Sequence, residues 1–190
     1  MRVVAGTYRG RPLVAPKGMG TRPTADRVRE ALFSILFDVT DRAVLDLYAG
    51  TGALGIEALS RGARHATFVE HDRKALTALE RNLATLRVPP AQFEIMPLRV
   101  EHALARLSKK GPSFDLVLAD PPYREAERVL PDVLRQSAGL VRTQATIVLE
   151  LASTDPPPAP PEGFELTRTK RYGETALAFY ASIAPEPCAS

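Results

Sequence analysis

From residue 43 onward the chain alternates short apolar runs with amphipathic stretches: 43–47 then 53–61, 66–69 then 73–86, 93–96 then 100–107, 114–119 then 126–137, and a last run at 146–149. Runs this short and this apolar, separated by segments of helical period, are strands buried on both faces and joined by helical crossovers. The pattern predicts an α/β fold built on a parallel sheet. A Pro-rich stretch at 155–161 reads as an extended surface connection, because too few residues follow it to build a second core. Those that do follow, 164–169 and 175–180, flank Arg171-Tyr172-Gly173 and read as an antiparallel hairpin at one edge of the sheet.

The first strand runs into Asp46-Leu47-Tyr48-Ala49-Gly50-Thr51-Gly52-Ala53-Leu54-Gly55, so Gly50, Gly52 and Gly55 have GxGxxG spacing at a strand-to-helix turn. Glycines there let a ligand approach the backbone and let the helix pack closely on the strand. Glu70 closes the second strand, twenty residues after Gly50, where a carboxylate accepts the hydrogen bonds of a ribose diol. A nucleoside-bearing cofactor follows, and Asp46 discriminates between the two that fit. An anion beside the helix N-terminus repels a pyrophosphate but stabilises the ammonium and sulfonium of S-adenosylmethionine. S-adenosylmethionine is therefore expected rather than a dinucleotide.

The fourth strand ends in Asp120-Pro121-Pro122-Tyr123, at the carboxyl end of the strand expected beside the first. That position is the switch-point crevice of an open α/β sheet. An amine attached to an aromatic ring is a poor nucleophile because its lone pair is delocalised. A catalyst can hydrogen-bond its protons and turn the lone pair toward an electrophilic methyl group. Asp120 and the carbonyl of Pro121 supply two such acceptors, the locked φ of proline holds that carbonyl still, and Tyr123 offers a ring for a base to stack on.

Ahead of this core, residues 1–30 hold seven Arg/Lys and two Asp/Glu, an excess of +5, although the whole chain carries only +3. An arm so charged is suited to a polyanion. Two β-like pieces, 2–5 and 12–15, read as a hairpin, followed by a Gly/Pro loop and a helix with Thr24 as its N-cap. Cys188 is the one cysteine, so no internal disulfide can form and a reducing cytoplasm is expected. His65, His71 and His102 lack metal-ligand spacing, and no metal is expected.

The segments DLYAGTGALG and DPPY resemble the class I S-adenosylmethionine-dependent amino-methyltransferases. RVVAGTYRG at 2–10 and RPTADRVREALF at 22–33 are similar to the RsmD family, which methylates the exocyclic N2 of one guanine in bacterial 16S ribosomal RNA. The resemblance spans Arg2 to about Tyr180. It implies a Rossmann-like, seven-stranded, mostly parallel sheet ending in an antiparallel hairpin, with residues 1–40 as a basic extension, 41–182 as the catalytic core and 183–190 as a tail. Asp46, Tyr48, Ala49, Gly50, Gly52, Glu70, His71, Leu98 and Arg99 become the expected cofactor set, and Asp120, Pro121, Pro122 and Tyr123 the catalytic set. Arg2, Arg9, Arg11, Arg22, Thr24, Arg27 and Arg29 become the expected RNA contacts, with the small ribosomal subunit as partner.

The chain departs from such enzymes after the third strand, where Met96-Pro97-Leu98-Arg99 lacks the usual Asp or Asn for the adenine amine. Backbone groups of Leu98 or Arg99 can meet the adenine edge instead. DNA adenine-N6 and protein glutamine-N5 methyltransferases share the DPPY chemistry, and a noncatalytic RNA-binding module is the alternative from another class.

Overall fold

The computed structural model describes residues 1–16, 23–111 and 113–183, without the side chains of 23–25 and 123. Helix α1 (Pro23–Leu36) precedes β1 (Ala43–Leu47), α2 (Ala53–Ser60), β2 (His65–Val69), α3 (Arg73–Leu86), a 3-10 turn (Pro90–Gln92), β3 (Phe93–Met96), α4 (Val100–Ser108), β4 (Phe114–Ala119), α5 (Tyr123–Ala138), β5 (Val141–Ala152), β6 (Phe164–Tyr172) and β7 (Thr175–Ser182). The strands form one seven-stranded sheet in the order β3-β2-β1-β4-β5-β7-β6. β1 to β5 are parallel, and β7 enters antiparallel between β5 and β6. Every residue of β1 is buried, as a central strand covered on both faces requires.

Two apolar layers cover the sheet. One joins α4 and α5 residues such as Leu104, Leu130 and Leu134 to Leu45, Leu47, Ile147 and Tyr180. The other joins Val28, Leu32 and Phe33 of α1, and Ile56, Leu79 and Leu83 of α2 and α3, to Val44, Phe68, Leu116 and Phe179. Val3 and Leu13 of the arm belong to that second layer, so residues 1–16 are built into the core surface.

Four local expectations are corrected. The N-terminal hairpin reduces to a single antiparallel bridge, Arg2 with Pro12. Backbone bonds of Val3 with Gly10 and Arg11 and of Leu13 with Met1 pair the two pieces around it, and the pairing stops there because the amides of Val4, Ala5, Thr7 and Tyr8 bond to Glu57 and Ser60 of α2. Helix α1 starts at Pro23, a residue whose fixed φ suits the first helical position, and Thr24 lies inside its first turn instead of capping it. Helix α5 begins at Tyr123, three residues before the apolar signal at Ala126, because Arg124 and Glu125 in that first turn face solvent. Strand β5 begins at Val141, since the exposed Arg142, Thr143 and Gln144 hide it from an apolar count and Gln144 takes a left-handed φ of 65° where the register with β4 shifts.

Candidate active site

Asp46 is buried near the end of β1, and its Oδ2 accepts the Gly55 amide at 2.8 Å, tying the strand to the first turn of α2. Glu70, just after β2, accepts the Gly50 amide at 2.8 Å through Oε2, and the amides of His71 at 2.7 Å and Asp72 at 2.8 Å through Oε1. The two carboxylates therefore hold the glycine loop from both sides. Glu70, expected from the sequence to accept a ribose diol, also braces the loop, and Oε2, with one described donor, keeps acceptor capacity for a hydroxyl.

Gly52 sits at φ 79°, and a Cβ there would lie 2.3 Å from the Leu79 side chain. A Cβ on Gly55 would lie 2.3 Å from the Phe68 ring, so close packing of α2 on β2 dictates this glycine as spacing alone predicted. Tyr48 has the left-handed φ of 59°, which costs a side-chain-bearing residue about 1–3 kcal/mol and is compensated by surrounding packing. Its ring packs toward α4 and α5, where it lines a cavity of about 180 Å³ with Glu101, Leu104 and Arg128.

Strand order reverses between β1 and β4, and the Asp120 amide meets the Leu47 carbonyl at 3.4 Å. This places Asp120 and buried Pro121 beside the glycine loop. The Pro122 carbonyl accepts the amides of Glu125 at 2.8 Å and Ala126 at 3.1 Å, starting α5, while no described residue donates to the Pro121 carbonyl. The Tyr123 ring lies outside the described side chains.

Desolvation pushes the Asp46 carboxyl up to about 7; the Gly55 amide opposes this, and the negative fields of Asp120 and Glu70 add to it. Asp120 is open to solvent at its residue surface yet ringed by protein, and desolvation raises its carboxyl as well. A cation beside Asp46 relieves the repulsion that Asp46 meets from Asp120 and Glu70. The site thus fits a ligand with positive charge, as in a sulfonium and an ammonium, and opposes a pyrophosphate.

At the ends of β2 and β3, the Glu70 amide donates to the Met96 carbonyl at 3.2 Å, which brings exposed His71, Leu98 and exposed Arg99 to the same rim. Leu98 is half-buried against the α4–α5 layer and Met96 is fully buried, so Leu98 is the apolar group available at this rim.

The arm is fastened by polar side chains that sequence reading passed over. Glu57 of α2 is fully buried and accepts the amides of Val4 at 2.7 Å and Ala5 at 3.0 Å, plus Arg61 Nε at 2.8 Å. Asn82 of α3 accepts the Val14 amide at 2.8 Å and donates to the carbonyls of Val14 at 3.1 Å and Thr51 at 3.0 Å, so one side chain touches both arm and glycine loop. The available signal was a polar residue in an apolar stripe: Asn82 shares its face with Leu79, Leu83 and Leu86.

Arg29 corrects an expected RNA contact. It is 3% exposed, pairs with Asp26 at 2.9 Å, donates to the Arg2 carbonyl and lies 3.5 Å from Glu57 through Nε. Arg2, Arg9, Arg11 and Arg27 are exposed, and Arg22 and the Thr24 side chain lie outside the described residues.

Residues 1–181 match the family described as conserved hypothetical protein 95. Over 181 residues the chain is 38% identical to Ribosomal RNA small subunit methyltransferase D of Escherichia coli K12, covering 95% of this chain and 89% of that protein. The chain belongs to the RsmD family. The solved structure of the Escherichia coli protein yhhF, 36% identical, superposes with a TM-score of 0.83 over 97% of this chain and 99% of that one. The fold extends much further: SMU.776, solved as a complex with SAH, is 12% identical and has a TM-score of 0.68 over 83% of this chain and 49% of that one. Membership in the family identifies the chain as a methyltransferase, and no described helix is long and apolar enough to cross a membrane.

Proposed function

We propose that the protein transfers the methyl group of S-adenosylmethionine to the exocyclic N2 amine of a guanine in small-subunit ribosomal RNA. The observation that carries the reading is the juxtaposition of Asp120 and the unpartnered Pro121 carbonyl with the carboxylate-braced glycine loop. The name shared by the curated relatives, a small-subunit ribosomal RNA methyltransferase, supports the substrate class.

Asp46 and Glu70 would hold the cationic and ribose ends of the cofactor, and Leu98 the adenine rim. The bound cofactor supplies a methyl group on sulfur that is open to attack. The carboxylate of Asp120 accepts one proton of the guanine amine and the Pro121 carbonyl the other, which turns the nitrogen lone pair toward the methyl carbon. As a nitrogen–carbon bond formed and the methyl–sulfur bond broke, leaving a neutral thioether, positive charge would grow on nitrogen and Asp120 would stabilise it. The carboxyl group can then take the amine proton, a transfer helped by its raised proton affinity. Transfer is direct, without a covalent bond to the enzyme.

Methyl transfer from labelled S-adenosylmethionine to undermethylated small subunits, followed by mapping of the modified base, tests the reading. Label at the N2 of a single guanine is expected; label on protein or on an adenine refutes it.

A further inference from the structure

We propose that β6 forms a second RNA-binding flank of the active-site crevice, with Arg168 and Lys170 contacting the phosphate backbone on the side of the target base away from the cofactor. This rests on the RNA substrate proposed above. The register of the sheet carries it. Ala119 of β4 pairs with Leu149, Leu149 with Ala178, and Ala178 with Thr169. One residue further toward the carboxyl edge, Asp120 stands level with Glu150, Leu177 and Lys170. Three strand spacings of about 4.8 Å separate Asp120 from Lys170, so the two backbones lie about 14 Å apart along the same edge. A base held at Asp120 leaves its neighbouring nucleotides within that distance.

The face is decided by the same register. Arg168 pairs with Phe179 and Lys170 with Leu177, and directly opposed residues project to one side of a sheet. Phe179 and Leu177 belong to the layer that contains α1 and the arm residues Val3 and Leu13. Arg168 and Lys170 therefore lie on the sheet face that carries the basic arm.

Charge is also segregated along β6. Glu165 stands near its start, whereas Arg168, Lys170 and Arg171 occupy the half nearer the crevice edge. Arg168 and Lys170 are exposed and pair with no described acidic residue, while Arg171 Nε donates to the Ser153 carbonyl at 3.1 Å and fixes the hairpin to the end of β5. An edge strand carrying two exposed cations, unpaired among the described residues, near the level of the reacting centre is suited to a polyanion that passes through the crevice.

The test compares wild type, the double variant Arg168→Ala/Lys170→Ala and the conservative Lys170→Arg. The probe is a small-subunit RNA transcript, bound across a salt series. Two lost phosphate contacts should lower the magnitude of the salt slope by about 1.4, equivalent to roughly 25-fold weaker binding near 0.1 M salt, with Lys170→Arg close to wild type. Calorimetry should give the double variant the S-adenosylmethionine affinity of wild type. An unchanged slope overturns the proposal. So does a loss seen only with assembled subunits, which would indicate a ribosomal-protein contact, or a matching loss of cofactor affinity, which would make the strand structural. If wild type methylates some other acceptor while the salt slope responds as stated, the guanine reading fails and the RNA-binding flank stands.

Discussion

Replacing Glu57 by Gln keeps the shape of the side chain and removes its charge, which isolates the electrostatic attachment of the arm. Oε1 accepts from Ala5 and Arg61, and Oε2 accepts from Val4 and faces Arg29 Nε at 3.5 Å. If the new NH2 group replaces Oε1 it confronts the donors of Ala5 and Arg61, and if it replaces Oε2 it confronts Val4 and faces Arg29. One or two charge-assisted hydrogen bonds are therefore lost inside a site with no solvent access to the carboxylate. Each is worth about 1.5–3 kcal/mol, and breaking a buried pair typically costs about 3–5 kcal/mol. For a chain of this size that corresponds to a melting temperature lower by roughly 6–20 °C. Urea and thermal unfolding measure the loss, and trypsin cleavage after Arg9 should quicken as the arm loosens. A destabilisation below about 1 kcal/mol with unchanged cleavage would show that Glu57 does not hold the arm.

Three further outcomes follow from the site. The Asp46 carboxyl, lifted to about 7 from 3.8, retains in the folded chain a proton that the unfolded chain releases, so its contribution to stability is present below about pH 4 and lost as pH rises to about 7. Binding of cationic S-adenosylmethionine should strengthen over the same rise, and Asp46→Asn should flatten both profiles in thermal and calorimetric titrations; a variant with the wild-type profiles would exclude Asp46 as the titrating group. Asp120→Ala should slow single-turnover methyl transfer on small subunits by at least about a hundredfold at nearly unchanged cofactor affinity, with Asp120→Asn between the two, and a wild-type rate would reduce Asp120 to a turn residue. Replacing exposed Arg9 and Arg11 by Ala should weaken binding to the RNA transcript and flatten its salt dependence while cofactor affinity holds; an unaltered slope would make the arm purely structural.

The amino-acid order by itself determined the strand–helix alternation, the glycine turn, and the places of Asp46, Glu70 and Asp120, because each of these is written in periodicities and spacings of a few residues. β1, α3, β3 and β4 appear at the residues their patterns mark. Local patterns also end where polar residues begin, which is why the start of β5 and the first turn of α5 were invisible to them.

Only the tertiary structure decided which charges remain available. Arg29 and Arg27 are two residues apart on one helix and look alike in sequence, yet Arg29 is turned into the pairing network of Asp26 and Glu57 while Arg27 faces solvent. Glu57 and Asn82 read as ordinary polar residues until the arm folds over them and supplies backbone partners more than 50 positions away. The raised proton affinity of Asp46 likewise arises from burial beside Asp120 and Glu70, which lie on different strands. Solvation and long-range pairing are properties of the assembled neighbourhood, and the energy of a buried charge is set by what surrounds it in space, not by its neighbours along the chain.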